Sequence, residues 1–234
     1  MKVYAMIPCR LGSKRIPKKN LRLLGDKTLS QWVASTAKET GLFDEIYINS
    51  ESEVFKKVAE DVGVKFYKRP EQFATDTATN DEFALDFMDA FDFDVLIQIN
   101  PTSPFLSKED IVNFVNEYKT KGYQTLHTVK NEKIEGLFNN VPLNFDPLKP
   151  MPPSQLLTPV QLFSSSIMAW EVKKFRENMA KYDCAVYGGD GSIGYFPLSG
   201  FSALDIDNEI DFKMAEIILN TKNSTNTEIK YYEI

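Results

Sequence analysis

Val3-Tyr4-Ala5-Met6-Ile7-Pro8-Cys9-Arg10-Leu11-Gly12-Ser13-Lys14-Arg15-Ile16-Pro17-Lys18-Lys19-Asn20 is the stretch on which the reading of this chain turns. Its apolar opening, closed by Pro8, reads as a strand buried on both faces. The residues that follow offer exposed backbone N–H groups and mobile ammonium charges, the materials of a phosphate cradle. Gly12 permits close approach, and Arg10 can fork onto phosphate oxygens. Lys14 and Lys19 can neutralise charge on a leaving pyrophosphate, while Pro17 stiffens the loop. A solvated basic turn has the same composition. The loop is neither a Walker A motif, because Gly12 is not followed by the second glycine and Lys-Ser/Thr, nor a GxGxxG dinucleotide turn.

Working outward, residues 45–49, 64–67, 95–99 and 124–129 are further short apolar runs bounded by turn residues, and read as strands. Residues 28–40, 52–62, 80–89 and 108–119 carry apolar side chains at helical spacing. Strands alternating with amphipathic helices predict a three-layer α/β domain of Rossmann-like type. Its sheet is mainly parallel, joined by right-handed crossovers, with ligands beyond the carboxyl ends of the strands. The rhythm breaks over 139–158, where prolines crowd together and predict an arm or long loop. It returns with a strand at 163–170, a helix at 173–181, an apolar stretch before Asp205 and a last helix at 209–220. A single domain over 1–220 is expected, then a mobile tail over 221–234, with an edge strand at 229–234 left open.

The chain has 33 acidic and 27 basic residues, a net charge of −6, which argues against broad binding of nucleic acid. Between Arg10 and Lys27, however, seven basic residues face one acidic residue, Asp26, a local field suited to a small anion. No apolar run is long enough to span a membrane. With only Cys9 and Cys184 and no signal segment, a cytoplasmic protein with reduced thiols is expected. Without a histidine or second cysteine nearby, Cys9 is not expected to act as a nucleophile. His127, the only histidine, reads as a structural hydrogen-bonding residue, and Trp170 as core.

Asp205 and Asp207 are two apart in an extended stretch, so both carboxylates leave one face and can converge on an ion. Magnesium suits such a pair, completing its octahedron with water and substrate phosphate oxygens. The competing role is helix capping. It fits Asn208 and partly Asp211, but Asp205 lies too far upstream.

The pattern Pro8-x-Arg10-x-Gly12-Ser13-Lys14-x-x-x-Lys18-Lys19-Asn20 resembles the signature loop of the acylneuraminate cytidylyltransferases, the CMP-sialic acid synthetases. Three further stretches match in order: Arg69 to Ala78, Asn100-Pro101-Thr102-Ser103-Pro104, and Ala203 to Glu216. The resemblance implies a nucleotidyltransferase fold with a small dimerisation arm, and hence a homodimer. It implies transfer of CMP from CTP to the hydroxyl of a sialic-acid-like keto-sugar acid, with magnesium held by Asp205 and Asp207. Arg10, Leu11, Gly12, Ser13, Lys14 and Lys19 would bind phosphates, Asn20 and Arg69 would reach the ribose, and Ala78 and its neighbours would line the cytosine pocket, with Asn80, a substrate-binding candidate, where the family commonly has a small polar residue. Asp207 is a candidate base for the acceptor hydroxyl.

The acceptor side departs from the family. Asn100 stands where glutamine is common, and no arginine or lysine occurs between Lys149 and Lys173 to pair with a sugar carboxylate. Gln161, Ser164 and Ser166 are then the expected donors to it. A different acceptor acid, or a nucleotide-binding regulator without catalysis, are the competing readings.

Overall fold

The computed structural model describes residues 1–223. A seven-stranded sheet is formed by β1 (Val3–Pro8), β2 (Glu45–Ser50), β3 (Lys65–Lys68), β4 (Val95–Ile99), β5 (Thr125–Glu132), β6 (Val160–Glu171) and β7 (Ile193–Leu198). Their spatial order is β7-β5-β6-β4-β1-β2-β3. Only β6 runs antiparallel to its neighbours, β4 and β5; the other pairings are parallel.

The helices are α1 (Leu29–Thr40), α2 (Val54–Val62), α3 (Asn80–Ala90), α4 (Lys108–Lys121), α5 (Val172–Tyr182) and α6 (Glu209–Asn223). Local chemistry sets their ends. Thr28 with Gln31, Thr79 with Glu82 and Ser107 with Asp110 form reciprocal capping boxes at α1, α3 and α4. Alternation along β1 divides the core into two layers. Val3 and Ile7 pack with Val33, Phe55 and Phe114 of α1, α2 and α4, while Tyr4 and Met6 pack with Phe87 and Phe175 of α3 and α5. This is the expected three-layer α/β arrangement.

A third, smaller core joins distant parts of the chain. Ile16, Leu24, Leu29, Ile206, Phe212 and Ala215 bury one another, so the basic loop after β1 rests on the segment that leads into α6.

Some boundaries differ from the sequence expectation. β6 starts at Val160 because the far end of β5 offers it a ladder from Glu132 to Val129. β7 contains Gly194 and Pro197, which hide it from pattern reading; as an edge strand it tolerates the proline. The arm opens with a hairpin pairing Leu137–Phe138 with Val141–Pro142 around Asn139 and Asn140. Both turn residues have positive φ, as a type I′ turn requires. Helix α6 runs on to Asn223, into the stretch expected to be mobile. The rest of that tail, and the question of a strand at 229–234, lie outside the described residues.

Candidate active site

Beyond the carboxyl ends of the central strands lies a cleft of about 520 Å³. The loop after β1 contributes Arg10, Lys19 and Asn20, and the segment after β3 contributes Arg69 and Thr75 to Ala78. Asn80 and Phe83 come from α3, Gln98 to Thr102 from the end of β4, and His127, Phe163, Ser165 and Met168 from β5 and β6. A second hollow, about 360 Å³, is enclosed by Arg10, Gly12, Ser13, Lys14, Arg15, Lys19 and Asn20. A Cβ on Gly12 would meet no protein atom within 4 Å, so the room it leaves is available to a ligand.

Every cation of this loop that an ion pair reaches is matched to a carboxylate from elsewhere. Arg10 Nη1 and Lys14 Nζ hold the two oxygens of Asp76 at 3.0 and 2.7 Å. Those hydrogen bonds, from Lys14 first and then Arg10, keep the Asp76 carboxyl below the usual carboxylate range. Arg15 Nη2 and Lys19 Nζ converge on Asp207 Oδ1 at 2.9 and 3.2 Å, and Lys19 also donates to the Ile206 carbonyl at 2.8 Å. Asp76 carries no sequence signal of this pairing beyond its place in the Arg69 to Ala78 stretch.

The carboxylate segment is held by Ile206, whose side chain is buried in the third core and whose N–H donates to the Thr102 carbonyl. Burial raises the pKa of Asp205, with the Asp207 charge adding to it, while a hydrogen bond from Thr102 works the other way. Asn208 accepts from Ile210 and Asp211, and Asp211 accepts from Asp207 and Asn208, so both act as caps of α6 as expected. Among the described residues no three His, Cys, Asp or Glu side chains converge as a metal cage. Of the carboxylates here, Asp205 and Asp207 are the pair that could hold an ion taking its remaining ligands from water and phosphate, and Asp207 is paired with Arg15 and Lys19.

Several expected contacts are placed differently. The Leu11 N–H is donated to Glu51 Oε1 at 2.8 Å, a partner that a phosphate there would have to displace. Arg69 lines the cleft but is nearly enclosed. It donates to the Cys9 carbonyl at 2.8 Å, lies 3.6 Å from Glu51 and stacks over Phe83, and burial lowers its pKa. Cys9 is fully buried and its thiol is pushed far up by burial, which removes it as a nucleophile. Asn20 and Asn80 each keep a buried side-chain oxygen without a partner on the cleft wall, and Ala78 lines the same wall.

On the acceptor side, Gln161 is exposed and bonded to Asn131, and Ser166 is buried against Ser103 Oγ at 2.9 Å. Ser164 is buried as well, and none of the three lines the cleft. Strand alternation explains this: Phe163 and Ser165 face the cleft, and the register shift between Phe163 and Met168 passes that face to the even-numbered residues beyond. Trp170 is core, as expected. Asn100 lines the cleft, but its amide is engaged on both sides, accepting from Gln98 Nε2 at 3.0 Å and donating to the Ser165 carbonyl at 2.6 Å. His127 is not the hydrogen-bonding structural residue expected. It is buried with neither ring nitrogen in a hydrogen bond of good geometry. Burial depresses its pKa to about 4, against a weak pull from the Val186 carbonyl, which already accepts from Trp170.

Comparison with known proteins agrees with this geometry. A family model described as cytidylyltransferase matches residues 4–152. The chain is 28% identical to an N-acylneuraminate cytidylyltransferase of Escherichia coli, over 95% of this chain and 53% of that protein. It is 25% identical to the post-translational flagellin modification protein B of Campylobacter coli, over 94% of this chain and 96% of that one. A CMP-N,N'-diacetyllegionaminic acid synthase of Legionella pneumophila is 36% identical over 52% of this chain and 55% of its own length. The chain thus spans about half the length of two of these relatives and nearly all of the third. Among solved structures, a CMP:2-keto-3-deoxy-manno-octonic acid synthetase complexed with CTP superposes with a TM-score of 0.71 at 14% identity, covering 95% of this chain and all of that one, which is a likeness of fold. The match over residues 4–152, well over half of the chain, together with a cleft whose basic loop opens it, establishes that this chain belongs to the cytidylyltransferase family.

Proposed function

We propose that the protein transfers CMP from CTP to a hydroxyl of a keto-sugar acid and releases pyrophosphate. The observation that carries this is the meeting of the basic loop with the carboxylate segment before α6: Lys19, which lines the cleft, contacts Asp207, 188 positions away. The names of the relatives support the class of acceptor.

In this reading the triphosphate takes the place of Asp76 on Arg10 and Lys14, with Gly12 and Ser13 close against it. The acceptor hydroxyl attacks the α-phosphorus in line, and the bond to the bridging oxygen of the β-phosphate breaks. Lys14, Arg10 and Lys19 receive the charge that builds on the leaving pyrophosphate. Asp207 takes the hydroxyl proton. Asp205 and Asp207 would hold magnesium, which would supply charge neutralisation at the phosphates. Asn20, Ala78 and Asn80 form the wall against the nucleoside.

The exposed apolar side chains of the arm, among them Leu137, Phe138, Leu148 and Met151, support a homodimer. No described helix is long and apolar enough to cross a membrane, and two unpaired thiols suit a reducing, cytoplasmic setting. The test is pyrophosphate release with magnesium, CTP and a panel of keto-sugar acids, repeated after chelation of the metal. Release that needs both CTP and an acid supports the proposal. CTP binding without release for every acid would instead mark a nucleotide-binding regulator. Near-normal turnover by Asp207→Asn would remove Asp207 as the base.

A further inference from the structure

We infer that Glu51 is a positioning residue for the nucleotide: its one carboxylate fixes both the start of the phosphate loop and the guanidinium of Arg69, and so sets the spacing between the phosphate and nucleoside halves of the site. This rests on the CTP site of the reaction proposed above and adds a residue outside that site.

The ends of three neighbouring strands meet at Glu51. It follows β2 directly, while Leu11 lies in the loop after β1 and Arg69 is the first residue after β3. Backbone bonds already continue the sheet one step beyond these strands, from the Cys9 N–H to the Asn49 carbonyl at 2.8 Å and from the Arg69 N–H to the Ser50 carbonyl at 2.9 Å. Glu51 extends that tie with a side chain. Its Oε1 accepts from the Leu11 N–H at 2.8 Å. Its Oε2 accepts from Ser50 Oγ at 3.2 Å and lies 3.6 Å from Arg69 Nη2, which donates to the Cys9 carbonyl at 2.8 Å. The two oxygens thus serve different loops.

Burial gives these contacts their weight. The side chain of Glu51 is 16% exposed and that of Arg69 is 3% exposed. Burial lowers the pKa of Arg69 and the charge of Glu51 opposes the shift, so the pair supports a guanidinium that solvent does not reach. Arg69 lines the cleft, and its Nε is buried with no partner in the protein, a charged donor left for a ligand. Glu51 itself lines neither the cleft nor the hollow of the basic loop, so it acts through the groups it holds.

Charge alone gives the opposite expectation. A carboxylate beside a basic loop repels anions, so removing it should tighten every phosphate ligand. Loss of a positioning residue weakens CTP instead. Glu51→Gln keeps an oxygen for the Leu11 N–H and withdraws the charge from Arg69, whereas Glu51→Ala withdraws both.

The experiment measures the Kd of CTP and of inorganic pyrophosphate by calorimetry on the full-length protein with magnesium, well below the melting onset of each variant. Pyrophosphate reads the loop, and CTP reads the loop and Arg69 together. The expected result is that Glu51→Gln weakens CTP about 10-fold or more and leaves pyrophosphate within about twofold, while Glu51→Ala weakens both. In an Arg69→Met background, Glu51→Gln then brings no further loss for CTP. Unchanged or tighter CTP binding by Glu51→Gln, equal weakening of both ligands by it, additive losses with Arg69→Met, or parent-like pyrophosphate binding by Glu51→Ala each overturns the inference. Lower melting temperatures with both Kd values intact also overturn it and leave Glu51 a purely structural tie. The expected binding pattern without pyrophosphate release from CTP for any keto-sugar acid keeps the inference and overturns the reaction. A parent protein that binds no CTP overturns both.

Discussion

Replacing Lys19 by methionine removes one ammonium group while keeping the length of the side chain. Lys19 is only 12% exposed at its side chain and donates to the Ile206 carbonyl at 2.8 Å and to Asp207 Oδ1 at 3.2 Å. Asp207 is 41% exposed and retains Arg15 at 2.9 Å, so the ion pair contributes about 0–1 kcal/mol. The Ile206 carbonyl loses a charged donor in a half-buried place, which costs about 1–3 kcal/mol. The sum, about 2 kcal/mol, lowers Tm by roughly 4–8 °C in a chain of this size. If Lys19 also receives charge in the transition state, kcat falls by on the order of 100- to 1000-fold, far more than the lost stability explains. Circular-dichroism melting paired with pyrophosphate release at saturating CTP, well below the melting onset, separates the two. A variant that melts as calculated yet turns over within about threefold of the parent would refute the catalytic role and leave Lys19 as a structural tie.

Lowering pH should destabilise the fold through His127. Its folded pKa, about 4, lies below the ordinary 6.5, so the unfolded chain binds the extra proton first. Stability is therefore lost as pH falls from about 6.5 toward 4, by up to about 3 kcal/mol, and His127→Phe should flatten that part of the Tm-against-pH curve. Ile16→Ala hollows the small core under the phosphate loop; it should cost about 2–4 kcal/mol in urea unfolding and raise KM for CTP. Asp76→Asn frees Arg10 and Lys14 and should make pyrophosphate a tighter inhibitor, whereas weaker inhibition would mean that Asp76 holds those cations in place.

The sheet was legible because its central strands are uninterrupted apolar runs, and the helices because their apolar residues recur at helical spacing. β7 was not, since Gly194 and Pro197 remove both period and propensity, and only its pairing with β5 makes it a strand. The grouping of Arg10, Gly12, Ser13, Lys14, Lys19 and Asn20 around one hollow was legible for a related reason: they are near neighbours in sequence. The cleft wall built by β4, β5 and β6 was not. Gln98, Met168 and His127 meet through strand register, which no short window contains, and the bulge in β6 sends Ser164 and Ser166 away from the cleft while bringing Ser165 in. The partner of the Leu11 N–H, Glu51, lies 40 positions on and was likewise not legible.

The third core has a consequence for the order in which the molecule is made. Ile16 leaves the ribosome long before its burial partners Ile206, Phe212 and Ala215. Until those partners have been synthesised, the phosphate loop has only Leu24 and Leu29 of its floor to rest on. Closing so long a loop carries an entropic cost that local contacts cannot offset early. The sheet can form around β1 while the loop still samples many shapes, and the loop is fixed only when α6 docks.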